Sequence, residues 1–90
     1  MNMSETVSIP AEVMARSVGD ETVLLDLSSG TYFGLDPVGA RIWALMSEGM
    51  SLRTVCDVIQ GEYDVTRDAL EADVLRLLGE LRAKGLVRAG

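Results

Sequence analysis

Apolar residues alternate with polar ones over much of residues 13–35, the two-residue period of strands. From Val38 onward they return every three or four residues, the period of helices. Gly19-Asp20 and Ser28-Ser29-Gly30 are turn-forming clusters that cut the first part into three short strands, which predicts an antiparallel meander. In the middle strand Val23, Leu25 and Leu27 make a wholly apolar face, expected to pack, while Thr22, Leu24 and Asp26 make a mixed face, expected to be partly wet. The last strand, Thr31-Tyr32-Phe33-Gly34-Leu35, carries a β-branched residue and two adjacent aromatics and stops before Asp36-Pro37.

Asp36-Pro37 predicts a helix start, since the Asp side chain accepts backbone N–H bonds and Pro suits the first helical position. The first helix is expected from Pro37 to Glu48, with Val38, Ile42, Leu45 and Met46 on one stripe, Trp43 at its border and Gly49 ending it. Ser51 caps a second helix bearing Leu52, Val55, Cys56 and Ile59, closed near Gly61 and Tyr63. Thr66 opens the third and longest, whose core stripe is Leu70, Val74, Leu77, Leu78 and Leu81, with Lys84-Gly85 as its stop. Leu86-Val87 reads as a tail tucked on the core or a stub of strand. The class is α+β: a three-stranded antiparallel meander followed by three helices, over residues 13–90, behind a flexible N-terminal tail of residues 1–12.

Ninety residues support one core only. The 48% apolar content excludes a disordered chain, and no run approaches the roughly 20 apolar residues of a membrane span. The start, residues 1–10, has neither the basic nor the apolar character of an export signal, so a cytoplasmic location with no membrane partner is expected. His is absent and Cys56 is the single cysteine, which removes the usual general base and the usual metal ligands. No metal, no cofactor and no catalysis by this chain are therefore expected. Cys56 itself, on the apolar face of a helix, reads as core. Asp68, Glu71 and Asp73 are spread around the third helix and read as a solvated face.

A net charge of -6, from 14 acidic and 8 basic residues, repels phosphate backbones and anionic lipid. Helices beside strands also describe a winged-helix DNA-binding regulator. On the third helix, however, Arg67, Arg76, Arg82 and Lys84 are cancelled by Asp68, Glu71, Asp73 and Glu80, so the basic footprint of a DNA reader is missing and no nucleic-acid partner is expected. The remaining candidate is the open edge of the last strand. Residues 31–35 contain no Lys, Pro or charge to protect it, so an extended peptide can add there, as can the tail or a second copy in a structural dimerisation domain.

The run Gly30-Thr31-Tyr32-Phe33-Gly34-Leu35-Asp36-Pro37-Val38-Gly39-Ala40-Arg41-Ile42-Trp43, then Tyr63, then Glu71-Ala72-Asp73-Val74 before Leu77-Leu78 and Leu81, resembles the PqqD family. The similarity spans about residues 13–87. That family comprises the RiPP recognition elements, small partners that bind the leader segment of a ribosomally made precursor peptide, as in pyrroloquinoline quinone and lasso-peptide biosynthesis. The resemblance implies a winged-helix-like domain in which a leader pairs with the third strand and lies in a cleft against the third helix. Its strand side would be Tyr32, Phe33, Gly34 and Leu35, and its helical wall Asp73, Val74 and Leu77, with Leu75 and Gly79 as the alternative shoulder. The implied partners are the precursor leader and a modifying enzyme, either a leader protease or a radical enzyme.

Overall fold

The computed structural model describes Met3 and residues 5–89. Strands β1 (Val7–Ser8), β2 (Val13–Val18), β3 (Glu21–Asp26) and β4 (Thr31–Leu35) come first, then helices α1 (Pro37–Ser47), α2 (Leu52–Glu62) and α3 (Arg67–Ala83), and last strand β5 (Arg88–Ala89). β2, β3 and β4 form the expected antiparallel meander in the order β2-β3-β4, so among the described residues β4 has one free edge. At the β3–β4 turn Gly30 has φ +74, a left-handed conformation open to glycine. The turn is tied by Asp26, whose carboxylate accepts from Ser28 N–H (3.0 Å), Ser28 Oγ (2.9 Å) and Ser29 Oγ (3.0 Å).

Each helix starts on the predicted cap. Asp36 accepts from Gly39 N–H at 2.7 Å, Ser51 from Thr54 N–H at 3.2 Å and Thr66 from Ala69 N–H at 3.4 Å. The core lies between the inner face of the sheet and the three helices. It joins Leu24 and Leu35 to Ile42, Trp43 and Met46 of α1, to Val55, Cys56 and Ile59 of α2, and to Val74, Leu78 and Leu81 of α3.

The faces of β3 are the reverse of the expectation. Leu24 and Asp26 are buried, whereas Val23 and Leu25 are half-buried and Leu27 is exposed. The chain direction after β4 decides this. Leu35 must point inward to meet α1, and residues opposed across an antiparallel ladder share a face, so Thr22 opposite Leu35 and Leu24 opposite Phe33 also turn inward. The buried Asp26 is tolerated because both of its carboxylate oxygens accept hydrogen bonds from the serine donors of its own turn. The other face of the sheet keeps its apolar residues in solvent.

Sequence alone predicts a flexible tail through residue 12, but part of that segment is held. β1 pairs antiparallel with β5, Val7 opposite Ala89 and Ser8 opposite Arg88, and Val7 is buried in the core beside Leu86 and Val87. Glu5 and Met3 carbonyls accept from Leu52 and Arg53 N–H at 3.0 and 2.7 Å, which satisfies donors that the first turn of α2 leaves without helical partners.

Candidate functional site

The free edge of β4 and the neighbouring side of α3 enclose a cleft of about 370 Å³. Its strand wall is Phe33, Gly34 and Leu35, and its helical wall is Asp73, Arg76, Leu77 and Glu80. Ile42, Ile59 and Leu70 supply an apolar floor, and Tyr63 with Val65, from the α2–α3 connection, closes one end. Residues 69, 73, 76 and 80 recur at helical spacing, so one shoulder of α3 presents the wall. Leu75 and Gly79, on the other shoulder, are not part of it.

The backbone direction of the edge follows from the ladder. Leu27 N–H donates to Glu12 O at 2.9 Å, toward the β2 side. Backbone groups of successive strand residues point to opposite neighbours, so Leu24 and Asp26 present theirs to β4 and are answered by Phe33 and Thr31. Tyr32 and Gly34 then aim their N–H and C=O groups away from the sheet. The cleft therefore has a hydrogen-bonding rail of two donors and two acceptors beside an apolar floor.

Of the residues singled out by sequence, Phe33, Gly34, Leu35, Asp73 and Leu77 meet in the cleft. Two do not place a side chain there. The Tyr32 ring stands on the opposite face of the sheet, 68% exposed, and contributes to the edge through its backbone alone. Val74 is fully buried on the core stripe with Leu70, Leu78 and Leu81. Leu77, assigned by periodicity to that stripe, is half-buried on the cleft side instead. Sequence reasoning missed Arg76 and Glu80, although their spacing of three and seven from Asp73 puts them on one shoulder. It also missed the floor residues Ile42 and Ile59, whose burial gave them the pattern of ordinary core.

Electrostatics arrange charge at the rim. Asp73 and Arg76 lie 3.4 Å apart, both well exposed. Arg41 forms a forked pair with Glu62 at 2.9 and 2.7 Å, which holds the end of α2 against α1. That hydrogen bonding raises the Arg41 pKa and lowers that of Glu62. Arg67 binds Asp57 at 2.6 Å and Glu71 at 2.7 Å and so clamps α2 to α3. Burial pushes the Cys56 thiol up, away from its reactive thiolate form. Among the described residues no three metal-ligating side chains converge, and no helix is long and apolar enough to cross a membrane.

A family profile described as Coenzyme PQQ synthesis protein D (PqqD) matches residues 21–87, from β3 to the end of the core. The chain belongs to the PqqD family. Two solved structures resemble this PqqD-family chain at a TM-score of 0.82. One is TbiB1 in complex with the TbiA(beta) leader peptide, 44% identical, with 89% of this chain and 93% of that chain covered. The other is lasso peptide synthetase B1 complexed with the leader peptide, 28% identical, with 90% and 95% covered. No curated protein sequence matches the chain.

Proposed function

We propose that this chain binds the leader segment of a ribosomally made precursor peptide of the lasso class and delivers it, in the cytoplasm, to the protease that removes the leader. The observation that carries this reading is an unprotected β4 edge flanking an apolar cleft, in a PqqD-family chain 44% identical to a leader-bound TbiB1. The leader adds to β4 as a fourth strand, and its alternate side chains enter the cleft between that strand and α3. Phe33, Gly34, Leu35, Asp73 and Leu77 contact it, while Tyr32 contributes its outward backbone and Val74 supports the wall from behind. The chain does no chemistry of its own: it lacks His, and its one thiol is buried.

The test is a polarisation titration of labelled leader peptide from the accompanying precursor. A dissociation constant near or below about 1 µM is expected, equivalent to roughly -8 kcal/mol. It should change little between about 50 and 200 mM salt, in contrast to the 10³-fold or steeper loss typical of phosphate binding. Failure of every candidate leader to bind below about 100 µM, near -5.5 kcal/mol, contradicts the proposal.

A further inference from the structure

The helical wall of the cleft carries its charges in the order acid, base, acid: Asp73, Arg76 and Glu80. Arg76 stands three residues from Asp73 and four from Glu80, the two spacings at which side chains meet on a helix surface, so it answers one carboxylate at a time. It takes Asp73, at 3.4 Å. Among the described residues no ion pair uses Glu80. Lys84, the next cation along the helix, is its C-cap and lies outside the cleft lining. On the other side Asp36 adds a third carboxylate, already engaged by Gly39 N–H at 2.7 Å. Glu80 is therefore the acid of the cleft left for a ligand.

Its place along the cleft is fixed as well. Tyr63 and Val65 precede α3 and close one end, so Glu80 stands at the far end of the wall. Ala69 and Glu80 are roughly 16 Å apart along the axis at about 1.5 Å per residue. A strand covers most of that in about four residues, and side chains four apart lie on the same face. A long basic side chain spans the rest. Because an occupant of this apolar cleft also draws water away from the Glu80 carboxylate, an acidic or apolar side chain opposite it leaves the charge poorly solvated and unpaired.

We infer that Glu80 selects among leaders by charge, an inference that rests on the leader-binding reading above. It accepts a Lys or Arg placed about four residues along the added strand from the apolar side chain at the Tyr63 end, and it rejects an acidic one. Arg76 keeps Asp73 neutralised meanwhile. The apolar floor supplies affinity for many sequences, and one unanswered carboxylate supplies the choice between them. A single exposed pair leaves the salt dependence of binding shallow.

The probe is the labelled leader peptide of the accompanying precursor, with each Lys or Arg changed in turn to Gln and to Glu. These forms are titrated against wild type, Glu80→Gln and Glu80→Lys, whose position is exposed and whose folding is checked by circular dichroism. Asp68→Lys, exposed on the same helix but outside the cleft lining, makes the same change in net charge as Glu80→Lys. An exposed ion pair changes affinity by a few-fold, so Glu80→Gln is expected to weaken the native leader about threefold and Glu80→Lys about tenfold, with Asp68→Lys within about twofold of wild type. At one leader position the Glu form should bind wild type about tenfold more weakly and bind Glu80→Lys more tightly than the native leader does. Native affinity in Glu80→Lys overturns the inference, and so does an equal loss for every charge form of the leader, which makes the residue merely structural. A leader without any basic residue that binds as tightly also overturns it, as does Asp68→Lys matching Glu80→Lys, which gives the effect to the overall field. Failure of wild type to bind any leader removes the leader-binding reading itself, whereas tight binding indifferent to residue 80 removes this inference alone.

Discussion

Cys56 and Asp26 have opposite relations to their surroundings. Cys56 is fully buried, and burial raises its pKa, so its thiol is predicted to resist alkylation by iodoacetamide in the folded protein and react only on unfolding. Cys56→Ala should cost about 1–2 kcal/mol in denaturant titrations through a small cavity, with leader affinity kept. Asp26 is a buried carboxylate whose pKa is lowered from 3.8, chiefly by the Ser28 and then the Ser29 hydrogen bonds. Its folded-state pKa lies below the unfolded value, so its contribution is complete above about pH 4 and disappears as pH falls through the folded value. Thermal melts between pH 5 and 2.5 are predicted to show a steeper acid loss for wild type than for Asp26→Asn. The mixed face of β3 is the buried one because Leu35 must turn inward to meet α1, and Asp26 can follow because its own turn satisfies its carboxylate. Hydropathy counts Asp26 as polar and cannot see that its own turn supplies its partners.

At the scale of elements the site is a rail and a wall. On the rail, Tyr32 and Gly34 offer outward N–H groups while Phe33 bonds to β3. Proline deletes one N–H, so Tyr32→Pro or Gly34→Pro should keep the far-ultraviolet circular dichroism spectrum and weaken leader binding about tenfold, the loss of one hydrogen bond of roughly 1.4 kcal/mol. Phe33→Pro should instead break the sheet and lower the melting temperature. On the wall, two adjacent leucines separate binding from stability. Leu78→Ala should cost about 2–5 kcal/mol, since that side chain is fully enclosed, and leave the affinity of the folded fraction unchanged. Leu77→Ala should do the reverse, losing leader affinity with a smaller stability loss. Strand and helix limits were legible because Gly30, Asp36, Ser51 and Thr66 mark them chemically. The cleft was legible only in part: a residue such as Ile42 or Ile59 that forms a cleft floor has the same helical spacing as one that fills a core. Leu77 and Val74 differ by a rotation that depends on how α3 sits against the sheet, which no local pattern records.

For the whole molecule the unexpected part is closure at the termini. Met3, Glu5 and β1 cap α2 and pair with β5, and Val7 joins the core, so the ends of the chain brace the helices on which the cleft is built. Two short strands and two isolated carbonyls leave too little pattern to be read from residues 1–12. Removal of residues 1–9 is therefore predicted to lower the melting temperature, by circular dichroism, without removing any side chain that lines the cleft. The account as a whole stands on one claim, that a leader becomes the fourth strand of the sheet. Amide hydrogen exchange resolved by residue tests it most directly, since exchange slows only where an N–H gains a partner or closes from solvent. With saturating leader peptide the Tyr32 and Gly34 amides are predicted to change from fast to slow exchange, while the Phe33 amide, already bonded to β3, is protected in both states. Tight leader binding with Tyr32 and Gly34 still exchanging freely would contradict strand addition and shift the site to the wall of α3.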